Sequence, residues 1–208
     1  MSTRLFTKGR LAAVIIVAIL LVDQAIKVWV KTHMSLHESI HVFDWFYISF
    51  IENNGMAFGM QLGSKIVLSL FRVAAIGVLT YYIYRQVRKP GVRVLYIVLL
   101  SMVLAGAAGN LIDCMFYGLL FNESSPYYVS YFVDFGTGYA PFLMGKVVDM
   151  FYFPLIVSTW PDWMPVVGGH DFVFFSPVFN FADASISVAV VLLLLFCRGE
   201  LSHITLKE

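Results

Sequence analysis

Residues 11–30 read Leu11-Ala-Ala-Val-Ile-Ile-Val-Ala-Ile-Leu-Leu-Val-Asp23-Gln24-Ala-Ile-Lys27-Val-Trp-Val30. A helix needs roughly 20 apolar residues to cross a bilayer core of about 30 Å, and this run has that length. Arg4, Lys8 and Arg10 precede it, as basic residues precede a secretory leader. However, no small-residue cleavage site follows, and Asp23 and Lys27 continue the helical register. The segment therefore reads as a retained span. Asp23 and Lys27 stand four residues apart, so they share one helix face and can pair.

Three further stretches extend the pattern: residues 66–87, which contain Arg72; 92–116, which contain Asn110 and Asp113; and 181–197, the shortest. Apolar residues make up 60% of the 208-residue chain and charged residues 13%. Soluble domains average about 45–50% and about 25%. Such a composition excludes disorder, a nucleic-acid-binding surface and an ordinary cytosolic enzyme, and it makes lipid part of the solvent. The net charge of +1 carries no message about partners. Cys114 and Cys197 lie inside apolar stretches, which argues against a disulfide framework and a metal cluster.

The expected fold class is an all-α membrane protein of one domain over residues 1–208. It has four transmembrane helices, an outer β-hairpin or sheet, and a long interfacial connection between helices three and four. Basic residues set its orientation. Arg4, Lys8, Arg10, Arg85, Arg88, Lys89, Arg93, Arg198 and Lys207 fall on one side, which the positive-inside rule makes cytoplasmic. Both termini are then cytoplasmic and the two long connections face outward. In the first, residues 39–51 are rich in aromatic and β-branched residues and read as strand. Asn54-Gly55 after them favours a tight hairpin turn. The second, residues 117–180, is broken by six prolines and dense in aromatic residues, which suit a membrane–water interface.

Ionisable residues inside a membrane are expensive and usually face a bundle interior. Asp23 with Lys27 is explained by a mutual ion pair, and Asn110 with Asp113 by an interhelical hydrogen-bond network. The sequence leaves open whether Arg72 is a buried partner or a bundle stabiliser. Gly106 belongs to a small-residue run, 105–109, that lets helices approach closely. Asp149 alone reads as a turn residue. Asp183 reads as a first-turn carboxylate behind the N-cap Asn180. Topology changes the balance, because Asp23, Asp113, Asp149 and Asp183 all converge on the outer boundary. Independent packing needs do not require that convergence, whereas a polar site does. A small transporter would also bury such charges, but transporters usually carry internal repeats and none is present. A structural or assembly role remains a second alternative at this level.

The ordered motifs resemble those of the bacterial lipoprotein signal peptidase (signal peptidase II) family. They are Asp23-Gln24-x-x-Lys27, Asn53-Asn54-Gly55-Met56-Ala57-Phe58, Gly109-Asn110-x-x-Asp113, Val147-Val148-Asp149 and Phe179-Asn180-x-Ala182-Asp183. The family commonly has Arg after the third-helix Asp, where this chain has Cys114. Residues 119–140 and 158–176 look like insertions that extend the outer surface without altering the core. Asp134, in Val133-Asp134-Phe135-Gly136, competes superficially with Asp149, but Gly145 and the Val147–Val148 pair select Asp149.

The resemblance implies a membrane aspartic endopeptidase that removes the signal peptide from lipid-modified prolipoproteins, cutting before the diacylglyceryl-cysteine. It makes Asp149 and Asp183 the catalytic pair. Asp23, Lys27, Asn53, Gly55, Gly106, Asn110, Asp113, Asn180 and Ala182 bind substrate or support the site. It implies no metal, no cofactor and no nucleophilic serine or cysteine. The implied partners are a lipidated prolipoprotein signal peptide and membrane lipid, with no nucleic acid and no required oligomer. The implied location is the bacterial cytoplasmic (inner) membrane, with the site near the outer face.

Overall fold

The computed structural model describes residues 7–54 and 65–202. Gly55 and the rest of the expected Asn-Gly turn, Arg4 and Lys207 lie outside these residues. The first helix, α1 (Lys8–His33), starts at Thr7, whose hydroxyl accepts the Arg10 amide hydrogen. Strands β1 (Ser39–Phe43) and β2 (Phe46–Asn53) follow, then α2 (Lys65–Arg88) and α3 (Val94–Ile112). A π-helical turn, Asp113–Tyr117, and a short α4 (Gly118–Leu120) extend α3 without a break. The long connection then carries β3 (Val147–Tyr152), β4 (Ile156–Thr159), β5 (Asp171–Phe174) and β6 (Val178–Phe179). Last come α5 (Phe181–Phe196) and α6 (Arg198–Ser202).

Among the described residues, α1, α2 and α3 with its continuation are long and apolar enough to cross a membrane. The 16 residues of α5 rise only about 24 Å. The axis of the bundle is α3, against which α1, α2 and α5 all pack. Its buried residues surround it, whereas α1, α2 and α5 turn Val17, Leu21, Phe71, Val78, Leu194 and Phe196 outward. Outward apolar faces on long helices fit lipid as the solvent.

The small-residue run on α3 is where helices meet closely. A Cβ at Gly106 would strike the Ala182 carbonyl and the Ile186 side chain of α5. One at Gly109 would stand 2.7 Å from an Asp23 carboxylate oxygen. The bundle therefore needs glycine at both places to bring α1 and α5 against α3.

A four-stranded antiparallel sheet, in the order β1-β2-β3-β6, covers one end of the bundle. Phe50, Val148 and Met150 pack on Val30 of α1, on Met34 just past its end, and on Tyr117 and Phe121 beyond α3. Successive strand side chains point to opposite faces, so Asp149, between Val148 and Met150, turns away from that cluster. The register sets Ile51 opposite Asp149, Glu52 opposite Val148 and Asn53 opposite Val147.

Two expectations change. Residues 39–51 are not one strand. The chain reverses at Asp44–Trp45 and β1 pairs back on β2. Asp44 is a turn former, and stacking of Trp45 on Phe43 (5.3 Å) and of Phe46 on Phe153 (4.7 Å) packs rings around the reversal. Residues 119–140 do more than extend the surface, because Phe121 is fully buried in the core beneath the sheet. Residues 156–174 form a separate β4–β5 hairpin, with Val157, Trp163 and Val166 exposed.

Gly106→Ala overpacks the α3–α5 contact, and core overpacking typically costs about 1–3 kcal/mol. A lowered unfolding temperature in detergent is expected. Gly77→Ala on α2 meets nothing within 4 Å and should leave that temperature unchanged or raise it. Equal effects of the two substitutions would contradict the packing described.

Candidate active site

The site is assembled around an ammonium group that water cannot reach. Lys27 lies 2.9 Å from Asp23 Oδ2, 2.9 Å from Asp113 Oδ2 and 2.9 Å from Asn110 Oδ1. Lys27, Asp23 and Asp113 are all fully buried. An isolated charge there would be prohibitive, so the three groups are tolerated only together. Each carboxylate also holds backbone. Asp23 Oδ1 accepts the Ala182 amide hydrogen (2.9 Å), which ties α1 to the start of α5. Asp113 Oδ2 accepts the Val148 amide hydrogen (3.3 Å), which ties α3 to β3. Gln24 completes the frame, donating to Asp113 Oδ1 (2.8 Å) and the Gly109 carbonyl (3.2 Å) while accepting from Tyr117 (3.1 Å).

From that frame, amides lead to two further carboxyl groups. Lys27 has donors only, so Asn110 must offer it the side-chain oxygen, which turns the Asn110 NH2 outward. That NH2 donates to Asp183 Oδ1 at 2.7 Å. Asn180 is oriented by the same logic. Its oxygen caps α5 by accepting the Asp183 amide hydrogen (2.9 Å), so its NH2 faces Asp149 Oδ1 (2.6 Å) and Asn110 Oδ1 (3.0 Å). The other Asp149 oxygen accepts from the side-chain amide of Asn53. Asp149 thus stands on a strand, Asp183 in the first turn of a helix, and two asparagines bridge them.

Burial is the largest influence on Asp149, which is 2% exposed, and the nearby Asp183 carboxyl adds to it. Together they outweigh the amide donors Asn180 and Asn53 and push its pKa up to about 7. A buried carboxyl near another carboxyl holds a proton that an isolated one would lose.

The structure brings Asp149, Asp183, Asp23, Lys27, Asn53, Asn110, Asp113 and Asn180 together. Gly106 and Ala182 contribute close backbone approach and, for Ala182, one amide donor. Gly55 lies outside the described residues. Asp134 sits exposed in a bend, where its carbonyl accepts the Thr137 amide hydrogen. Sequence reasoning undervalued Gln24, although it stood inside a quoted motif. It missed Lys31, whose signal was the continuation of the Asp23–Lys27 line by one more turn, and Glu52, which carried no such signal. It left Arg72 open: Arg72 donates to Cys114 Sγ at 3.2 Å, so a cation from α2 stands where the chain lacks arginine after Asp113.

Fold and site together define a helical membrane protein with paired carboxyl groups at one end of its bundle. The profile of the family described as signal peptidase (SPase) II matches residues 15–198. A lipoprotein signal peptidase of Porphyromonas gingivalis is 50% identical over 187 residues, which cover 90% of this chain and 82% of the relative. One of Amoebophilus asiaticus is 33% identical, covering 88% and 75%. A bacterial membrane enzyme solved by the in meso method at 2.3 Å has the same fold, with a TM-score of 0.61 at 23% identity over 95% of this chain and 93% of that one. The chain belongs to the signal peptidase II family.

The raised Asp149 pKa has a consequence for stability. An unfolded chain releases this proton near pH 4, whereas the folded one retains it to about 7. Between those values the folded state binds more protons, so stability falls as pH rises through the window. Asp149→Asn should therefore flatten the fall in unfolding temperature between pH 5 and 8. Parallel wild-type and mutant profiles in detergent would contradict the assignment.

Proposed function

We propose that the chain is an aspartic endopeptidase of the inner membrane that removes signal peptides from lipid-modified prolipoproteins, cutting before the diacylglyceryl-cysteine. Asp149 and Asp183 are its catalytic residues. The observation that carries this reading is the pair itself: two carboxyl groups, bridged by Asn180 and Asn110, at the boundary between an apolar helix bundle and a sheet. Peptide hydrolysis needs one carboxylate to take a proton from water and one carboxylic acid to hydrogen-bond the scissile carbonyl. Two close carboxyls in a buried site share one proton and supply both forms.

The steps balance without any other group. Water adds to the carbonyl carbon as one carboxylate removes its proton and the protonated partner gives its own to the carbonyl oxygen. The resulting tetrahedral diol returns a proton to the leaving nitrogen as the carbon–nitrogen bond breaks. The amine of the new N-terminal cysteine and the acid of the signal peptide are released. Asn53, Asn110 and Asn180 hold both carboxyls through the cycle, and Lys27 with Asp23 and Asp113 holds the asparagines and backbone.

In this reading the whole chain is one membrane domain with four spans and both termini cytoplasmic. The relatives named lipoprotein signal peptidase support the substrate, a lipidated signal helix arriving from within the membrane. The short α5 supports a site at the edge of the hydrocarbon, since about 24 Å of helix falls short of a core of about 30 Å. Exposed Trp45 and Phe43 at the β1–β2 turn and Trp163 on the β4–β5 hairpin suit an interface where the lipidated segment is held.

Asp149→Asn and Asp183→Asn should each abolish cleavage of a lipidated precursor by purified protein, and the double variant should be scarcely worse than either, because residues acting as a unit are not additive. Asp134→Asn should retain activity. Normal cleavage by both single variants would end the aspartic-protease reading. A dead Asp134→Asn beside an active Asp149→Asn would move the pair but keep the family.

Orientation has its own test. Cysteines placed at Ser39 and Tyr127, both exposed, should react with an impermeant thiol reagent in cells with a permeable outer envelope and an intact inner membrane. One at the exposed Lys89 should react only after the inner membrane is opened. The reverse pattern would overturn the outward site.

A further inference from the structure

A second buried ionic cluster lies beyond the site. Lys31, one turn past Lys27 on α1, is fully buried, and its ammonium pairs with Glu52 on β2. It also donates to Ser124 Oγ at 2.7 Å, and Ser124 donates to Glu52 Oε1 at 2.8 Å. Ser130 stands 2.9 Å from Ser124. The rings of Phe121 and Tyr139 lie 5.2 Å from the ammonium and that of Phe50 5.8 Å. Lys146 approaches the other Glu52 oxygen at 3.5 Å. Ser124, Ser130 and Tyr139 all come from the connection after α4, the part of the chain that resembles an insertion.

Stability alone is a weak reason for this arrangement, because burying an ion pair costs about what the pair returns, and apolar packing often serves as well. What such a pair can supply is register. The pairing of β2 with β3 is irregular between Ile48 and Ile51, immediately before Glu52. Asn53 follows Glu52 and places its amide on Asp149. A slip of one residue in a strand turns every side chain to the opposite face, and here it would carry Asn53 off Asp149. Lys31 is anchored in α1, the helix that also carries Asp23 and Lys27. Glu52 is therefore pinned to the same rigid body that builds the rest of the site.

We infer that Lys31, Glu52 and Ser124 form a positioning device for the reaction: the cluster fixes β2 beyond its irregular register and so holds the Asn53 amide on Asp149. The connection of residues 119–140 then works for the site through Ser124, Phe121 and Tyr139. The inference rests on Asp149 being catalytic.

The test uses the full chain in detergent, its folding checked by thermal unfolding, with a lipidated precursor peptide as substrate. Glu52→Gln should lower kcat about tenfold or more with KM within about twofold, and Ser124→Ala should lower it about threefold. Asn53→Ala lowers kcat by removing the same contact directly. Adding Glu52→Gln or Ser124→Ala to Asn53→Ala should then change kcat by less than about twofold, because the effect they transmit is already lost. A merely structural cluster gives the opposite result: the same factor lost in both backgrounds, in step with the unfolding temperature. That outcome, or full kcat in folded Glu52→Gln and Ser124→Ala, overturns the inference. If Glu52→Gln does not fold, Ser124→Ala and its double variant decide. Normal turnover by Asp149→Asn would instead overturn the proposed function. A dead Asp149→Asn with independent losses at Glu52 and Asn53 would overturn this inference alone.

Discussion

A single buried ammonium, that of Lys27, sets the geometry of everything around the site. It takes Asp23 from its own helix and Asp113 from α3 at 2.9 Å each, and both carboxylates pass the constraint to backbone, at Ala182 and at Val148. Four segments distant in sequence, α1, the end of α3, the long connection and the start of α5, are thereby fixed to one point. Without the ammonium, two carboxylates would remain buried and unpaired, a penalty of about 3–5 kcal/mol for a broken buried pair. The glycines of α3 belong to the same constraint, because a side chain at Gly109 would occupy the space of the Asp23 carboxylate.

The second consequence is orientation without flexibility. Asparagine can present either its oxygen or its NH2, and in a loosely built site that freedom would blur the hydrogen bonding. Here Lys27 and the Asp183 amide are donors only, so they compel Asn110 and Asn180 to turn their NH2 groups toward Asp183 and Asp149. A helix-capping bond therefore also prepares a carboxyl. Burial then does the rest, lifting Asp149 to about 7 in spite of two amide donors. The proposed chemistry needs a carboxylic acid at neutral pH, and the raised Asp149 can supply it.

Much of the frame was legible in the sequence because it obeys helical spacing. Asp23 with Lys27, Asn110 with Asp113, and Asn180 before Asp183 are i, i+3 or i, i+4 relations, and each holds in the structure. The convergence of four aspartates followed from the distribution of basic residues and the resulting topology. What was illegible depended on contacts between segments far apart. No glycine or proline marks the reversal at Asp44–Trp45, so the aromatic run read as one strand. Glu52 resembled any polar residue at a strand end, and Lys31 resembled a cation at a span terminus. Only the fold, which brings Ser124 and Phe121 beneath the sheet, makes a buried pair of them. The connection of residues 119–140 was misjudged for the same reason: insertion in sequence does not imply a surface position in space.

The proposed chemistry requires Asp149 to keep its proton up to about pH 7 beside the Asp183 carboxyl. Infrared difference spectroscopy of the purified protein between pH 6 and pH 8.5 reads that proton directly as a carboxylic C=O band. One such band, from Asp149, is expected in the wild type. It should be absent in Asp149→Asn and displaced to a lower pH range in Asp183→Asn, where the neighbouring carboxyl no longer raises its partner. A band that persists unchanged in both variants, or a wild type in which neither carboxyl carries a proton at pH 6, would contradict the account.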